Sequence, residues 1–255
     1  LWAHPPGEIL QTAPDLGYDG VDRWALHRFD EGSDPLSLAD QARRLGLTLT
    51  LHATSWDLNL TSRIPAIRAA SLEALRRSLE LAVALGATLV VMHPGHTTVP
   101  YDGGETYWPA LVAAVSDLAD AAARYGLTLG IEHMEPRQSE YVITADDINR
   151  LIREVARPNV GAVLDVAHIP WGEDEVAFIS GLERIVHVHL SDADESRLHL
   201  PLGQGTRNLA RILGALRAYA GTMTIEGFSI SAGVELARWN KAQFEELWGV
   251  AGTVQ

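Results

Sequence analysis

The stretch Tyr125-Gly126-Leu127-Thr128-Leu129-Gly130-Ile131-Glu132 decides the fold. Gly126 stands where a helix must stop, because glycine takes the left-handed conformation past a helix end at little cost. The residues after it alternate. Side chains on a strand point to opposite faces in turn, so Thr128, Gly130 and Glu132 share one face and Leu129 and Ile131 the other. The apolar face suits helices packed outside. The small face suits the crowded inside of a closed barrel, and Glu132 then points into its mouth.

The same module recurs on both sides. Leu45-Gly46-Leu47-Thr48-Leu49 and Leu85-Gly86-Ala87-Thr88-Leu89 repeat the joint, and Gly17, Gly46, Gly86, Gly126 and Gly221 are the expected helix-stopping glycines. Asp34-Pro35 and Trp108-Pro109 put proline in a helical first turn, where its missing N–H costs nothing. Thr144 and Asp147 form a capping-box pattern for a helix that Pro158 ends. His52 shares a strand face with Thr50 and Thr48, and Glu226 shares one with Thr224 and Thr222. The expected strands are 1–3, 20–25, 47–52, 88–93, 128–132, 160–165, 185–190 and 222–226, with helices between them and a closing helix at 233–249. Eight alternations of this kind predict an α/β fold, a (β/α)8 TIM barrel forming one domain over 1–255. The opening Leu1-Trp2-Ala3 reads as a first strand truncated at its N-terminus. No Gly-x-Gly-x-x-Gly follows the first strand to suggest an open dinucleotide-binding sheet.

Composition bounds the function. With 47% hydrophobic and 21% charged residues in 255, the chain is ordinary globular protein. No apolar run approaches the roughly 20 residues of a membrane span, and the N-terminus does not read as a signal peptide. There are no cysteines, which excludes disulfides, thiolate metal sites and cysteine nucleophiles. A net charge of −13 argues against a general nucleic-acid or membrane binder. The only lysine, Lys241, falls in the C-terminal helical region, so a Schiff-base aldolase is not expected. Cytoplasmic residence and a small-molecule substrate are the expectations, and homo-oligomer formation stays open.

Chemistry concentrates at strand ends. Glu132, Asp165, His189 and Glu226 each close a separate apolar strand. Such groups are costly to crowd together unless something positive lies between them. Three carboxylates and one imidazole suit one divalent ion: Mn, Mg, Co, Fe or Zn. The plain alternative is a buried ion-pair network. The ten histidines fall at strand ends or in the loops after them. Two readings stand for His52, His93, His168 and His199: contacts to substrate oxygens, or ligands of a second metal. His187, one layer below His189, is expected to support that histidine rather than to ligate. Trp24, Trp56, Trp108 and Trp171 are candidates to stack on a sugar. Gly203-Gln204-Gly205, leading into a helix near Asn208, could bind phosphate, with Arg137, Arg197 and Arg207 as anion contacts.

The series His93-Pro94-Gly95, Ile131-Glu132, Leu164-Asp165-Val166-Ala167-His168, His187-Val188-His189-Leu190-Ser191-Asp192, His199-Leu200-Pro201-Leu202-Gly203-Gln204-Gly205 and Thr224-Ile225-Glu226 resembles the xylose isomerase-like barrel superfamily. That superfamily holds sugar and sugar-phosphate isomerases and epimerases together with endonuclease IV. The resemblance implies that Glu132, Asp165, His189 and Glu226 ligate the metal, and that Glu132 and Glu226 also move protons. It implies that His168 contacts a substrate oxygen and that an arginine, here Arg197, lies in the loop that serves substrate. The implied activity is isomerisation or epimerisation of a small sugar, sugar phosphate or related polyhydroxy carbonyl compound through an enediolate held by the metal.

The alternative it implies is an endonuclease IV-like phosphodiesterase acting on abasic DNA, with His52, His93, His168 and His199 as further zinc ligands. That pattern wants Asp-x-His where this chain has Arg197-Leu198-His199, and a guanidinium cannot ligate zinc. Nucleic acid is also disfavoured by loops rich in Asp and Glu.

Overall fold

The structure is a computed structural model and describes residues 4–26, 32–99, 101–228 and 233–251. Seven parallel strands form its sheet: β1 (Gly20–Trp24), β2 (Thr48–His52), β3 (Leu89–Met92), β4 (Thr128–Glu132), β5 (Val160–Asp165), β6 (Ile185–Leu190) and, last in the chain, β9 (Met223–Ile225). Their order is β1-β2-β3-β4-β5-β6-β9, so each strand lies beside its predecessor in a nearly closed TIM barrel. Among the described residues β1 and β9 do not pair with each other. The expected strand at 1–3 lies outside the described residues.

Helices α1 (Pro6–Thr12), α2 (Pro35–Leu45), α3 (Pro65–Leu85), α4 (Trp108–Ala123), α5 (Ala145–Val155), α6 (Glu175–Gly181), α7 (Leu209–Ala215) and α8 (Gly233–Ala251) alternate with the strands. Their ends follow the local chemistry. The Asp34 side chain accepts the N–H groups of Leu36 and Ser37 at the start of α2, and Gly46 closes that helix at φ 70°. Thr144 and Asp147 make the reciprocal capping box at α5. That helix stops at Val155, with Ala156 in the left-handed region, two residues before Pro158. Gly221 departs from expectation. Its helix, α7, ends earlier at Ala215, and Gly221 is not among the left-handed glycines.

The main core lies between sheet and helices. Leu129 and Ile131 of β4, Leu164 of β5 and Val188 and Leu190 of β6 are buried there with Ile148 and Leu151 of α5. Burying each such side chain is worth about 1.5–3 kcal/mol. The barrel interior is not lined by Thr and Gly alone, because Leu89, Val91 and Val163 form a separate buried cluster with Val186. A bulge in the β5–β6 register, between Ala162 and Val163, accompanies this layer. Gly130 and Gly161 make room for it, since a Cβ on Gly161 would lie 2.3 Å from Val186 Cγ1 and 3.0 Å from the Arg184 carbonyl oxygen.

Beyond the strand ends, where the sequence predicts no strand, the chain forms an antiparallel hairpin, β7 (Asp192–Asp194) and β8 (Arg197–Leu200). It places His199 over the mouth at φ 53°. No described helix is long and apolar enough to cross a membrane.

The valine layer yields a stability prediction. Gly161→Ala should destabilise the fold by about 1–3 kcal/mol through overpacking. Gly249→Ala, whose new methyl meets nothing within 4 Å on α8, should be neutral or stabilising by up to about 1 kcal/mol. Urea midpoints of the two variants test this, and an unchanged midpoint for Gly161→Ala would show that the valine layer has slack.

Candidate metal centre

Parallel strands bring their C-terminal ends to one rim, and four of them deliver the central group. Glu132 ends β4, Asp165 ends β5, His189 is the penultimate residue of β6, and Glu226 follows β9. His189 Nδ1 lies 3.1 Å from Glu132 Oε1, 3.2 Å from Glu226 Oε2 and 3.8 Å from Asp165 Oδ2. One ligand atom from each of the four falls within 4.8 Å of the others. The side chains of Glu132, Asp165 and His189 are buried, whereas that of Glu226 is 37% exposed and lines the cavity above.

Four histidines surround this group. His52 Nε2 and His93 Nε2 each lie 3.3 Å from Glu132 Oε2. His168 donates from Nδ1 to the His133 carbonyl at 3.0 Å and presents Nε2 to Glu135 Oε2 at 3.6 Å. His199 Nδ1 is 3.8 Å from Glu226 Oε2 and 3.9 Å from Asp165 Oδ2. Convergent donors also form three further sets, His52–His93–Glu132, Asp165–His168–His199 and, behind the imidazole of His189, Asp22–His187–His189. They overlap the central set at Glu132, at Asp165 and at His189.

Electrostatics match the crowding. Burial would raise Glu132, but the His189 charge and contacts from His189, His52 and His93 hold it well below the ordinary carboxylate range. Burial would lower His189, but Glu226 and Glu132, with Asp165 and Asp22, raise it well above the usual imidazole value. The donor atoms also fit a cation. Asp165 Oδ1 accepts the N–H groups of Ala167 and His168. Its Oδ2, like Glu226 Oε2, is buried without a hydrogen-bond partner among the described residues. Oxygen lone pairs buried without a hydrogen are what a divalent ion would use.

The other expected residues divide. Trp24 and Trp56 line the cavity, edge to face at 4.5 Å. Trp108 instead is buried at the start of α4 and donates to Glu154, and Trp171 stacks on the Arg207 guanidinium at 4.0 Å. Neither lines the cavity. Arg197 folds back onto Asp194 at 2.6 Å and does not line it either, whereas Arg137 does, paired with Glu135. Arg207 is buried, donating to the carbonyls of Ala167 and Ile169.

The glycine turn is no open phosphate cradle. The Asp192 carboxylate accepts the N–H groups of Gly203, Gly205 and Arg207 at 3.1, 2.9 and 3.2 Å, so the anion there is internal. His187 gives both ring nitrogens to the hydroxyls of Thr222 and Thr224, and burial lowers its pKa to about 4.

Asp22 is not singled out by the sequence, and Glu135 and Glu140 count there only among the loop acids that disfavour nucleic acid. Asp22 is a charged residue inside β1, and that was its only signal. Glu135 and Glu140 sit in a loop already rich in acids. The cavity measures about 1990 Å³, well above the roughly 300–1,000 Å³ of a small-molecule pocket. It extends that far because its lining continues from the mouth down to Tyr18, Thr222 and Phe244, along the seam between β1 and β9.

The family model described as xylose isomerase-like TIM barrel matches residues 10–247. Fructoselysine 3-epimerase of Escherichia coli O157:H7 is 24% identical over 87% of this chain and 85% of its own length. L-ribulose 3-epimerase of Methylomonas sp. (strain DH-1) is 28% identical over 87% of this chain and 78% of its own. The crystal structure of the IOLI protein with a bound zinc atom superposes with a TM-score of 0.80 at 21% identity, covering 94% of this chain and 91% of that one.

Glu140 carries a pH prediction. Burial, then the charge of Glu135, raises its pKa from 4.5 to about 7. The folded chain therefore binds this proton more tightly than the unfolded chain does. The stability it confers is complete below about 4.5 and is lost as pH rises through about 7. Glu140→Gln should raise Tm at pH 8 and leave it nearly unchanged at pH 4. Equal shifts at both pH values would remove the assignment.

Proposed function

Because the chain belongs to the xylose isomerase-like TIM barrel family, we propose that it is a divalent-metal-dependent epimerase or isomerase of a small polyhydroxy carbonyl compound, a ketose above all. One observation carries the reading. Two carboxylates, Glu132 and Glu226, reach the same nitrogen of His189 from different strands, one sealed from solvent and one open to the cavity. The similarity to fructoselysine and L-ribulose 3-epimerases supports an epimerase. The internal pairing of Asp192 with the glycine turn favours an unphosphorylated substrate.

Glu132, Asp165, His189 and Glu226 would hold the metal, zinc or manganese among the fitting ions. When bound, the ion polarises the substrate carbonyl and offsets several kcal/mol of developing negative charge. Glu226, being accessible, removes the proton from the carbon beside the carbonyl. Glu132 passes a proton to the other face or to the neighbouring carbon, taking it from protonated His52 at 3.3 Å, while His93 contacts the same oxygen. Glu226 gives up its proton to the open cavity, and His52 regains one from the same side. His168, held by the His133 carbonyl, orients a substrate oxygen. Trp24 and Trp56 cover the sugar and exclude water.

A second reading rests on two of the additional donor sets, His52–His93–Glu132 and Asp165–His168–His199. With two or three ions they would suit phosphodiester hydrolysis. Against it, Arg197 and Asp194 pair with each other where a further oxygen ligand would be needed.

Elemental analysis of protein purified without chelator separates the two. One ion per chain, with no cleavage of abasic duplex DNA, is expected; two or three ions with cleavage would overturn the first reading. Glu226→Gln should lower turnover of the best ketose by about 10²–10⁴-fold. It should also abolish exchange of the carbon-bound proton with D2O, followed by NMR. Near-parental exchange in that variant would strip Glu226 of its role.

A further inference from the structure

We propose that Asp22 is a positioning residue that fixes the tautomer and ring orientation of His189 from the side opposite the carboxylate cage. The inference rests on the metal reading given above.

Its geometry is specific. His189 turns Nδ1 toward Glu132, Glu226 and Asp165, and its other nitrogen, Nε2, lies 3.5 Å from Asp22 Oδ2. Asp22 is the only carboxylate within 4 Å of that nitrogen among the described residues. The Asp22 side chain is 8% exposed, and Thr50 of the neighbouring strand donates its hydroxyl to Oδ1 at 2.8 Å. Strand register sets this contact, because Asp22 pairs with Thr50 across β1 and β2 and both point into the barrel.

The ring is held on its faces too. His52 stacks against it with centroids 5.8 Å apart, and His187 stands perpendicular beneath it at 5.1 Å. Asp22, His187 and His189 also converge as donors, but Thr222 and Thr224 occupy both nitrogens of His187, which leaves Asp22 facing His189 alone.

An imidazole that ligates through Nδ1 must carry its remaining proton on Nε2. A carboxylate that accepts this proton selects the tautomer, stops rotation and makes the ligand more basic. His189 Nε2 is buried without a hydrogen-bond partner among the described residues, and Asp22 Oδ2, 3.5 Å away, is the carboxylate oxygen placed to accept its proton once the ring ligates. The donor group therefore includes one residue that touches neither metal nor substrate. The same contact distinguishes His189 from His52, whose second nitrogen lies 2.9 Å from the Ala53 carbonyl.

The test compares parent, Asp22→Asn and Asp22→Ala by competition for zinc and for manganese against a chromophoric chelator. Histidine side-chain 1H–15N spectra of the zinc-loaded proteins accompany it. Asp22→Asn is expected to lose about 10–100-fold in affinity for either ion while the metal-free Tm stays within a few degrees of parental. In the zinc-loaded parent, His189 should show a protonated Nε2, whose resonance moves upfield in Asp22→Asn. Affinity within twofold of parental in that variant, or zinc found on Nε2, would overturn the inference and leave the metal centre standing. A parent that binds neither ion would overturn the metal reading itself. If Asp22→Ala does not fold, the isosteric Asn variant decides.

Discussion

Three carboxylates converge on one imidazole nitrogen at the mouth of the barrel, and the surrounding structure answers to that crowding. Like charges about 4 Å apart repel by roughly 4 kcal/mol at an effective dielectric near 20, and burial adds a desolvation cost to each. The chain offsets this with imidazoles: His189 in the centre, His52 and His93 against Glu132, and His168 between Glu132 and Glu135. Without a cation, His189, His52 and His168, raised against burial by the carboxylates they face, serve as the counter-ions. With one, the same nitrogens and oxygens become a donor set, so the histidine-rich rim fits both states.

The barrel makes such crowding feasible. Parallel strands end on one rim, and β4, β5 and β6 deliver Glu132, Asp165 and His189 from backbones already hydrogen-bonded on both sides. The valine layer of Val91, Val163 and Val186 fills the space below the site. Further out, Asp192 binds the turn at Gly203 and Gly205, and Arg207 ties to the carbonyls of Ala167 and Ile169, so the loops carrying His168 and His199 are pinned by internal ions. Residues that read as substrate anion contacts, Arg197 and Arg207 among them, are thereby used within the protein.

Much of the architecture was legible because its signals are local. Glycines at 46 and 86, the Asp34 cap and the Thr144–Asp147 box act within one helical turn, and the structure uses them as read. Strand ends were legible for the same reason: an alternating apolar run closing on Glu132 or Asp165 places that residue on the rim of any parallel barrel. Gly221 misled because a glycine near a strand is ambiguous when the preceding helix is short. The hairpin of 192–200 was missed because its strands span only three and four residues and carry charges.

Sequence by itself therefore determined the barrel, the direction of its strands and the rim on which the acids and histidines gather, since these depend on period and on neighbours in the chain. Only tertiary structure decided which polar groups meet. Asp22 stands behind His189 although 167 residues separate their numbers, and Trp108 and Trp171 turn to Glu154 and Arg207 instead of the cavity. Pairings of that sort follow from strand register and loop packing, which no local pattern encodes.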